Sequence, residues 1–342
     1  MTLGCEVTVV APEACPDVPT VVVPHPHVDP DAGKSVVPST VRDLRNILRT
    51  WILLPDPDVR WAVRAARTFV PVRPDWVLTT SPPESSHVAG WLLKRRLRCR
   101  WVADFRDTWF AEPLRPERQR RGARRTVERI FARRLLGAAD ATIAVTRFVG
   151  DEVSAIRPGL FATTIGYFAE AAADPAKLPE ETVNVVHTGS FALSDPRRSI
   201  EPVLAAFEAA SNPELHLYLV GRLNADEVRR AAGSPLADRI TVTGALPRDR
   251  ARAYQAAADV LLLVAVPGSQ RVPGKIAEYQ AAGRPVLAVG GAAWLAEYGL
   301  SPVDDLAAAF RDLPHGLPPR PASALAPDAA ARNLLAFLSS LD

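Results

Sequence analysis

Along this chain, short runs of β-branched residues alternate with longer stretches of helical periodicity, first over residues 6–145 and again from Val183 onward. Alternation of this kind is typical of βαβ units, in which helices connect the strands of a parallel sheet. The sequence therefore predicts an α/β protein with two doubly wound parallel sheets. The predicted strands are Glu6–Val10, Val21–Val23, Trp76–Thr79, Trp101–Asp104, Ala141–Val145, Val183–Val186, Leu215–Val220, Ile240–Thr243, Val260–Val264 and Val286–Val289.

The stretches between these strands carry the apolar period of helices, and Ser39 is a candidate cap for one of them. The remaining helices are predicted at Ser86–Arg96, Pro116–Leu136, Ile200–Ala210, Ala225–Ala232, Asp249–Ala257, Lys275–Ala282 and Ala329–Leu341.

The alternation stops at Ala169–Glu181, which is rich in alanine, proline and acidic residues and has no apolar period. We interpret this stretch as a linker. The predicted organisation is a first domain over residues 1–170, a linker over 171–182 and a second domain over 183–342, with a cleft between the domains. A length of 342 residues suits two domains. The last helix is a candidate to pack back on the first domain.

Composition limits the function. The net charge of +3 is mild, so nucleic acid is not predicted as a partner. Cys5, Cys15 and Cys99 lie far apart without a paired motif, which argues against a disulfide framework or a zinc site and favours a reducing cytoplasm. No apolar run reaches the roughly 18 residues of a membrane span, and Met1 leads into a predicted strand without a signal peptide.

One candidate phosphate site follows strand Val183–Val186. Gly189 and Ser190 come directly after this strand, and Arg197 and Arg198 precede the next predicted helix. Glycine lets the backbone approach an anion, the helix N-terminus attracts it, and a guanidinium binds phosphate with two hydrogen bonds. A tight turn with two solvated arginines is the alternative interpretation.

A second candidate site is the loop before the helix that begins at Lys275. Pro273 and Gly274 punctuate this loop, so the helix N-terminus and Lys275 are suited to bind an anion. Glu278 lies on the same side of the helix, where its carboxylate can accept bonds from two ribose hydroxyls. A surface salt bridge between Glu278 and Lys275 is the alternative. After Ile240–Thr243, the loop Gly244–Pro247 exposes backbone groups that could bind the edge of a base.

In the first domain, the segment Trp101–Trp109 places Asp104, Arg106 and Asp107 at the end of a predicted strand. Charged groups at the tip of a buried strand are costly unless they are paired or functional. An ion pair of Arg106 with one of the aspartates, ordering the loop, is the alternative to a catalytic role.

His25 and His27 have no third histidine nearby and only Asp29 as a close carboxylate, so no metal site is predicted. Residues 115–134 contain nine arginines and only two glutamates. This basic stretch is interpreted either as a solvated helix face or as a surface attracted to anionic lipid headgroups. The predicted location is therefore the cytoplasm, with peripheral contact at the inner face of the membrane as a further possibility.

Taken in order, these segments resemble the GT-B glycosyltransferases of the large retaining family four. The similarity lies in Gly4–Pro12, Thr80–Pro83, Asp104–Trp109, Asp140–Thr146 and, above all, Ala258–Leu263 with Val272–Leu287. The resemblance implies two Rossmann-like domains facing each other across a cleft, and transfer of a sugar from a nucleotide donor.

The resemblance also implies roles for individual residues. Glu278 would bind the donor ribose, Arg198 and Lys275 would hold the diphosphate, and the loop containing Gly244 and Leu246 would meet the base. Arg106 and Asp107 occupy the positions of a catalytic His-Asp pair, with Asp104 beside them. Ser81 and His87 would lie on the acceptor side.

Three departures from the family pattern stand out. Gln270 replaces the first of two glutamates that are separated by seven residues, and Arg106 stands where many members have histidine. The chain also begins at the family's second strand, so the first strand, the glycine-rich loop and the first helix are expected to be missing.

The resulting prediction is a metal-independent, retaining glycosyltransferase that transfers a hexose. No cofactor is expected beyond a nucleotide-sugar substrate, with UDP- or GDP-sugars favoured. The acceptor is a sugar, a lipid-linked glycan or a natural product. The alternatives are a GT-B nucleotide-sugar 2-epimerase and an inactive paralogue that binds a partner enzyme or a membrane.

Overall fold

Parallel sheets organise both halves of the chain in the computed structural model, which describes residues 3–16, 18–25, 53–68, 70–71, 73–111, 122–160, 162–314, 318 and 323–341. The chain divides into two compact units, Met1–Ile165 and Gly166–Ser340. Residues 171–182 fall within the second unit, and their assignment as a linker stays a prediction.

The first unit contains a parallel sheet whose strands run in the order β3-β4-β5-β6. A separate parallel pair, β1 with β2, precedes it in sequence. The strands are β1 (Val9–Ala11), β2 (Thr20–Val22), β3 (Trp76–Ser81), β4 (Arg100–Phe105), β5 (Ala141–Ala144) and β6 (Ala162–Thr164), and the helices are α1 (Val59–Arg67), α2 (Ser86–Leu97), α3 (Ala123–Leu136) and α4 (Arg147–Ile156).

Strand β4 is central because its side chains are apolar on both faces, as the inner strands of parallel sheets require. Trp101, Val102, Ala103 and Phe105 are all buried. Helix α2 approaches β4 closely through Gly90, where a Cβ would collide with the indole of Trp101. Helix α4 begins at a real cap, since the side chain of Thr146 accepts a hydrogen bond from the backbone N–H of Val149 at 3.3 Å.

The second unit contains a five-stranded parallel sheet in the order β11-β10-β7-β8-β9. Its strands are β7 (Val183–Thr188), β8 (Leu215–Val220), β9 (Ile240–Gly244), β10 (Val260–Val264) and β11 (Val286–Val289). Its helices are α5 (Glu201–Ala209), α6 (Ala225–Ala232), α7 (Arg248–Ala257), α8 (Lys275–Ala282), α9 (Leu306–Arg311) and α10 (Pro327–Ser339).

Both faces of this sheet are covered, which explains why its strands are nearly continuous apolar runs. Successive residues of a strand point to opposite faces. Val185 accordingly packs in a core with Phe207 and Phe310, while Val186 packs in a second core with Ile276 and Tyr279.

Several predicted elements need correction. The predicted strand Glu6–Val10 is shorter and shifted to Val9–Ala11, because only these residues pair with β2. Helices α1, α4 and α9 and strand β6 were not predicted. The helix predicted after Ser39, and the first part of the one predicted at Pro116–Leu136, lie outside the described residues. Among the described helices, none combines the length and apolar character needed to cross a bilayer.

Candidate functional site

The carboxyl ends of β7, β8 and β9 are drawn together by glycine. The N–H of Gly189 donates to the carbonyl of Val220 at 2.8 Å, and the N–H of Gly221 donates to the carbonyl of Gly244 at 3.0 Å. A Cβ on Gly221 would collide with the backbone of Gly189, and both glycines have positive φ, of 143° and 103°. Only glycine fits this close approach, which leaves the strand ends bare of side chains at the edge where α/β proteins bind ligands.

Lys275 reaches this edge from the first residue of α8. Its ammonium donates to the carbonyl of Thr188 at 2.8 Å and lies 3.4 Å from Nε2 of His187. The Nζ atom is 3.8 Å from the position that a Cβ on Gly189 would occupy. The two segments that the sequence predicts as separate anion sites, at Gly189 and at Lys275, therefore lie side by side in the structure.

His187 is buried beneath this lysine and holds it in place. Its Nδ1 lies 3.0 Å from the carbonyl of Leu262, so Nδ1 carries the proton and Nε2 presents a lone pair to Lys275. Burial, followed by the nearby charge of Lys275, holds the pKa of His187 well below its ordinary range. His187 is thus a neutral imidazole that orients a cation.

Arg198 is the second cation at this edge. One guanidinium nitrogen donates to Oγ of Ser194 at 3.0 Å, while the buried Nε has no hydrogen-bond partner among the described residues. Burial lowers the pKa of Arg198, although the charge of Asp195 opposes this shift. Burial and the charge of Arg198 hold the pKa of Lys275 well below its ordinary value. The charge of Arg198 therefore disfavours the charged form of Lys275.

The surroundings of Arg198 differ from the prediction in two respects. Helix α5 begins only at Glu201, so its N-terminus does not directly follow Gly189 and Ser190. Phe191 fills the intervening turn and stacks on His187 with ring centroids 4.3 Å apart. The guanidinium of Arg197 pairs with Asp195 at 2.8 Å, and a phosphate contact of Arg197 stays a prediction.

Glu278 is held by two neighbours on α7. Its carboxylate accepts from Nε of Arg248 at 2.9 Å and from the amide of Gln255 at 3.2 Å. The alternative salt bridge with Lys275 is wrong, since the ion-pair partner is Arg248. Gln255 also donates to Oγ1 of Thr188 at 2.9 Å, which connects Glu278 to the strand end. The carboxylate is one-fifth exposed and remains open to a ligand.

The remaining predicted donor residues lie at the same strand ends or the adjoining loops. Gly244 ends β9, and Leu246 packs at the margin of the core that contains Tyr218. Pro273 and Gly274 precede Lys275, and Gly274 has no room to spare because a Cβ there would lie 3.3 Å from Tyr167. Ser190 is half-buried, and its carbonyl accepts from Ser194 at 3.0 Å.

The first unit brings a second set of predicted residues to the carboxyl ends of β3 and β4. The hydroxyl of Thr80 donates to Asp104 at 3.2 Å, and the N–H of Arg106 donates to the carbonyl of Ser81 at 3.0 Å. Burial raises the pKa of Asp104 to about 6, although the nearby charge of Arg106 opposes the shift. The carboxylate of Asp107 accepts from the N–H of Thr108 at 3.0 Å.

His87 is fully buried, and Ser81 is 2% exposed. The imidazole of His87 bonds to Oγ1 of Thr79 at 2.9 Å and packs 4.5 Å from the ring of Phe105. Burial lowers its pKa to about 3, which keeps the ring neutral. A direct acceptor contact stays a prediction for both residues, and for His87 the burial favours a packing role.

Sequence reasoning missed Gly221, Arg248, Gln255 and Tyr279. Gly221 directly follows the predicted strand Leu215–Val220, so its position was a usable signal. Arg248 and Gln255 reach Glu278 through the packing of α7 on α8, and the hydroxyl of Tyr279 accepts from the N–H of Thr188 at 3.0 Å. No local pattern marks these three residues. Among the described residues, no group of three or more histidine, cysteine, aspartate or glutamate side chains is placed to hold a metal ion.

Comparisons with known proteins agree with this geometry. Residues 2–159 match the sequence model of the glycosyl transferase 4-like domain, and residues 182–315 match that of the glycosyl transferases group 1. No curated protein matches the chain.

Two solved structures share the fold. Sucrose-phosphate synthase from Thermosynechococcus elongatus is 17% identical, with 99% of this chain and 90% of that chain covered and a TM-score of 0.59. HepE of Anabaena, solved in complex with UDP and glucose, is also 17% identical, with 83% and 82% covered and a TM-score of 0.55.

The parallel sheets, the glycine-lined strand ends and these matches define a glycosyltransferase of the GT-B class. The predicted fold class, α/β with two Rossmann-like domains, is confirmed. More particularly, the chain belongs to the glycosyltransferases whose first domain is of the 4-like type and whose second is of group 1.

Proposed function

We propose that the second unit binds the diphosphate of a nucleotide sugar between Arg198, Lys275 and the bare strand ends at Gly189. One observation carries the proposal: burial lowers the pKa of two cations beside a glycine, the charge of Arg198 lowers that of Lys275 further, and the buried Nε of Arg198 has no partner among the described residues. A dianionic ligand at this point would stabilise both charged forms and satisfy the open donor. The N-terminus of α8 adds favourable dipole charge.

The rest of the donor follows from the neighbours of this point. Glu278, oriented by Arg248 and Gln255, is proposed to accept hydrogen bonds from the ribose hydroxyls. The loop containing Gly244 and Leu246 is proposed to meet the base. A UDP-sugar is the first candidate, because HepE shares the fold and was solved with UDP and glucose. A GDP-sugar is the second.

The proposed reaction is transfer of a hexose with retention of anomeric configuration and without a metal ion. An acceptor hydroxyl forms the new bond to the anomeric carbon while the bond to the diphosphate breaks. Arg198 and Lys275 would stabilise the charge that develops on the leaving diphosphate, in a geometry already set before the reaction. Retention rests on the resemblance to the retaining enzymes.

In the first unit, Asp104 is proposed to take the proton of the acceptor hydroxyl, with Arg106 and Asp107 positioned beside it. A pKa of about 6 suits this task, because the carboxylate is ionised at neutral pH yet basic enough to accept a proton. The acceptor is proposed to be a sugar, a lipid-linked glycan or a natural product.

The alternative of a 2-epimerase finds less support. Such an enzyme would use histidine and carboxylate acid–base groups. In the second unit the candidate is His187, because it directly follows the predicted strand Val183–Val186. Its Nδ1 is committed to Leu262 and its Nε2 faces the ammonium of Lys275, so it has no free proton to exchange. Product analysis in the absence of an acceptor separates the two reactions.

Thermal unfolding with UDP, GDP, dTDP and CMP tests the donor site and separates an enzyme from an inactive paralogue. A ligand that binds only the folded state stabilises it by about 2.7 kcal/mol at a hundredfold excess over its dissociation constant. We expect a raised midpoint with one nucleotide, and the same shift lost in Glu278→Ala. Glu180→Ala, which removes an exposed carboxylate of the same unit, should keep the shift. Absence of any shift in the native protein would contradict the donor site.

A further inference from the structure

A cationic groove lies at the C-terminal end of helix α3. It has a volume of about 550 Å³. Its walls are formed by Ile130, Arg133, Arg134, Gly137, Ala138 and Arg157. Arg157 approaches from the end of α4, with its Nε 3.5 Å from the position that a Cβ on Gly137 would occupy. The ends of helices α3 and α4 therefore supply three guanidinium groups to this one open groove.

Arg133, Arg134 and Arg157 differ from other cations nearby because their guanidinium groups form no hydrogen bond or ion pair with any described residue. On the same helix, Arg124 is buried and pairs with Glu128 at 2.7 Å. Lys94, beside the groove, is bound to Asp140 at 2.7 Å. The carbonyl end of α3 favours cations by about 0.3–1 kcal/mol each, which is too little to explain three converging from two helices.

Apolar side chains continue the same surface. Val127 and Ile130 are 40% and 49% exposed, and they lie one helical turn apart on the face that leads to Arg134. Helices that lie in the plane of a membrane interface combine apolar side chains, which enter the interface, with arginines that attract anionic lipids. A soluble phosphate ligand would give no reason for this apolar extension.

The topology separates this groove from the proposed reaction site. Helix α3 ends just before β5 and α4 ends before β6, so the groove lies at the amino ends of parallel strands. Asp104 and Arg106 follow the opposite, carboxyl ends. Six-residue β4 spans about 20 Å between these edges. A surface bound at the groove therefore leaves the carboxyl edge free.

We propose that this groove binds phosphate groups of anionic phospholipids, with Val127 and Ile130 inserted at the bilayer surface. The sequence already predicts membrane contact through residues 115–134, of which 115–121 lie outside the described residues. The structure assigns the contact to the C-terminal part of that stretch and adds Arg157, which lies far from it in sequence. The inference does not depend on the proposed sugar transfer.

Flotation with vesicles of phosphatidylcholine, with and without 30% phosphatidylglycerol, tests this site in the full chain. We expect binding only to the anionic vesicles. The triple variant R133Q/R134Q/R157Q should lose about a hundredfold in partitioning, since each basic residue contributes roughly fivefold near an anionic surface. V127S/I130S should lose binding as well, although its charge is unchanged.

The matched control R229Q/R230Q/R311Q removes three exposed arginines from the second unit and should retain binding. An equal loss in this control would reduce the effect to net charge and overturn the proposal. Saturable binding of inorganic phosphate without binding to vesicles would also overturn it, in favour of a soluble anion. Nucleotide-dependent stabilisation should be the same in all variants. A failure of the proposed donor site can therefore be distinguished from a failure of the lipid site.

Discussion

The two units use the carboxyl edges of their sheets in opposite ways. In the second unit, Gly189 and Gly221 keep side chains away from the strand ends, and cations approach from the neighbouring segments. In the first unit, the strand ends are packed with side chains: Asp104 is buried, and His87 packs against the rings of Trp101 and Phe105. A site for charged phosphates needs exposed backbone and cations, whereas a site that moves a proton needs a carboxyl group whose pKa is raised by burial.

Asp104→Asn gives the largest expected effect and tests the proton-transfer half of this comparison. General acid–base groups contribute about 10²–10⁴-fold, and we expect kcat to fall within that range. Nucleotide-induced stabilisation should stay the same, because the proposed donor site lies in the second unit. In the native enzyme, kcat/KM should decrease below a pH of about 6, where Asp104 becomes protonated. This acid limb should be absent in the variant.

The same substitution should increase the free energy of unfolding at pH 7.5. The folded-state pKa of Asp104, about 6, lies above the ordinary aspartate pKa of 3.8. The folded state therefore binds the proton more tightly, and the stability contributed by Asp104 decreases as pH rises from about 4 to 6. The gain in the variant should not exceed about 3 kcal/mol. Asp151→Asn, at an exposed position on α4, is the control, and a destabilised D104N would indicate a structural role instead.

Arg198→Ala tests the phosphate half of the comparison. Removal of one preorganised donor to a developing charge costs about 10²–10³-fold in kcat. In contrast to D104N, this variant should also lose nucleotide-induced stabilisation. Arg229→Ala, which removes an exposed arginine from α6, should behave as the native protein does. Normal turnover in R198A would place the diphosphate elsewhere. Equal loss of nucleotide binding in D104N would contradict the assignment of phosphate binding and proton transfer to different units.

The sequence predicts the strands of the second unit well because burial on both faces makes them continuous apolar runs. β8 and β10 were predicted with their actual bounds. Helix α1 was missed although its arginines and its buried Ala62, Ala65 and Ala66 lie on opposite faces at helical spacing, because alanine is a weak signal of a buried face. Alanine can fill a tight interface between elements, but only the packed structure reveals that interface.

The site shows the same limit. Gly189, Arg198, Lys275 and Glu278 stand beside strand ends or at a helix start, so local patterns identify them. The partners of Glu278 could not be found in this way, since Arg248 and Gln255 reach it through the packing of α7 on α8. The burial of His87 could not be predicted for a related reason. His87 is the second residue of α2, and only the packing of this helix shows that its ring lies in the core.

The pH dependence of nucleotide binding gives the smallest effect and sharpens the description of the cation pair. Burial and Arg198 hold the pKa of Lys275 well below its ordinary value. A bound diphosphate would raise it again, so the ligand binds together with a proton wherever the free lysine is neutral. Affinity for UDP should therefore weaken between pH 7 and pH 9, by at most about tenfold per pH unit.

Lys275→Arg is the informative variant, because arginine keeps its charge throughout this range. Its dissociation constant, measured by calorimetry, should change less with pH than that of the native protein. If the dissociation constants of the two proteins changed equally with pH, Lys275 would be charged without a ligand. Burial and the charge of Arg198 would then lower its pKa less than the structure indicates.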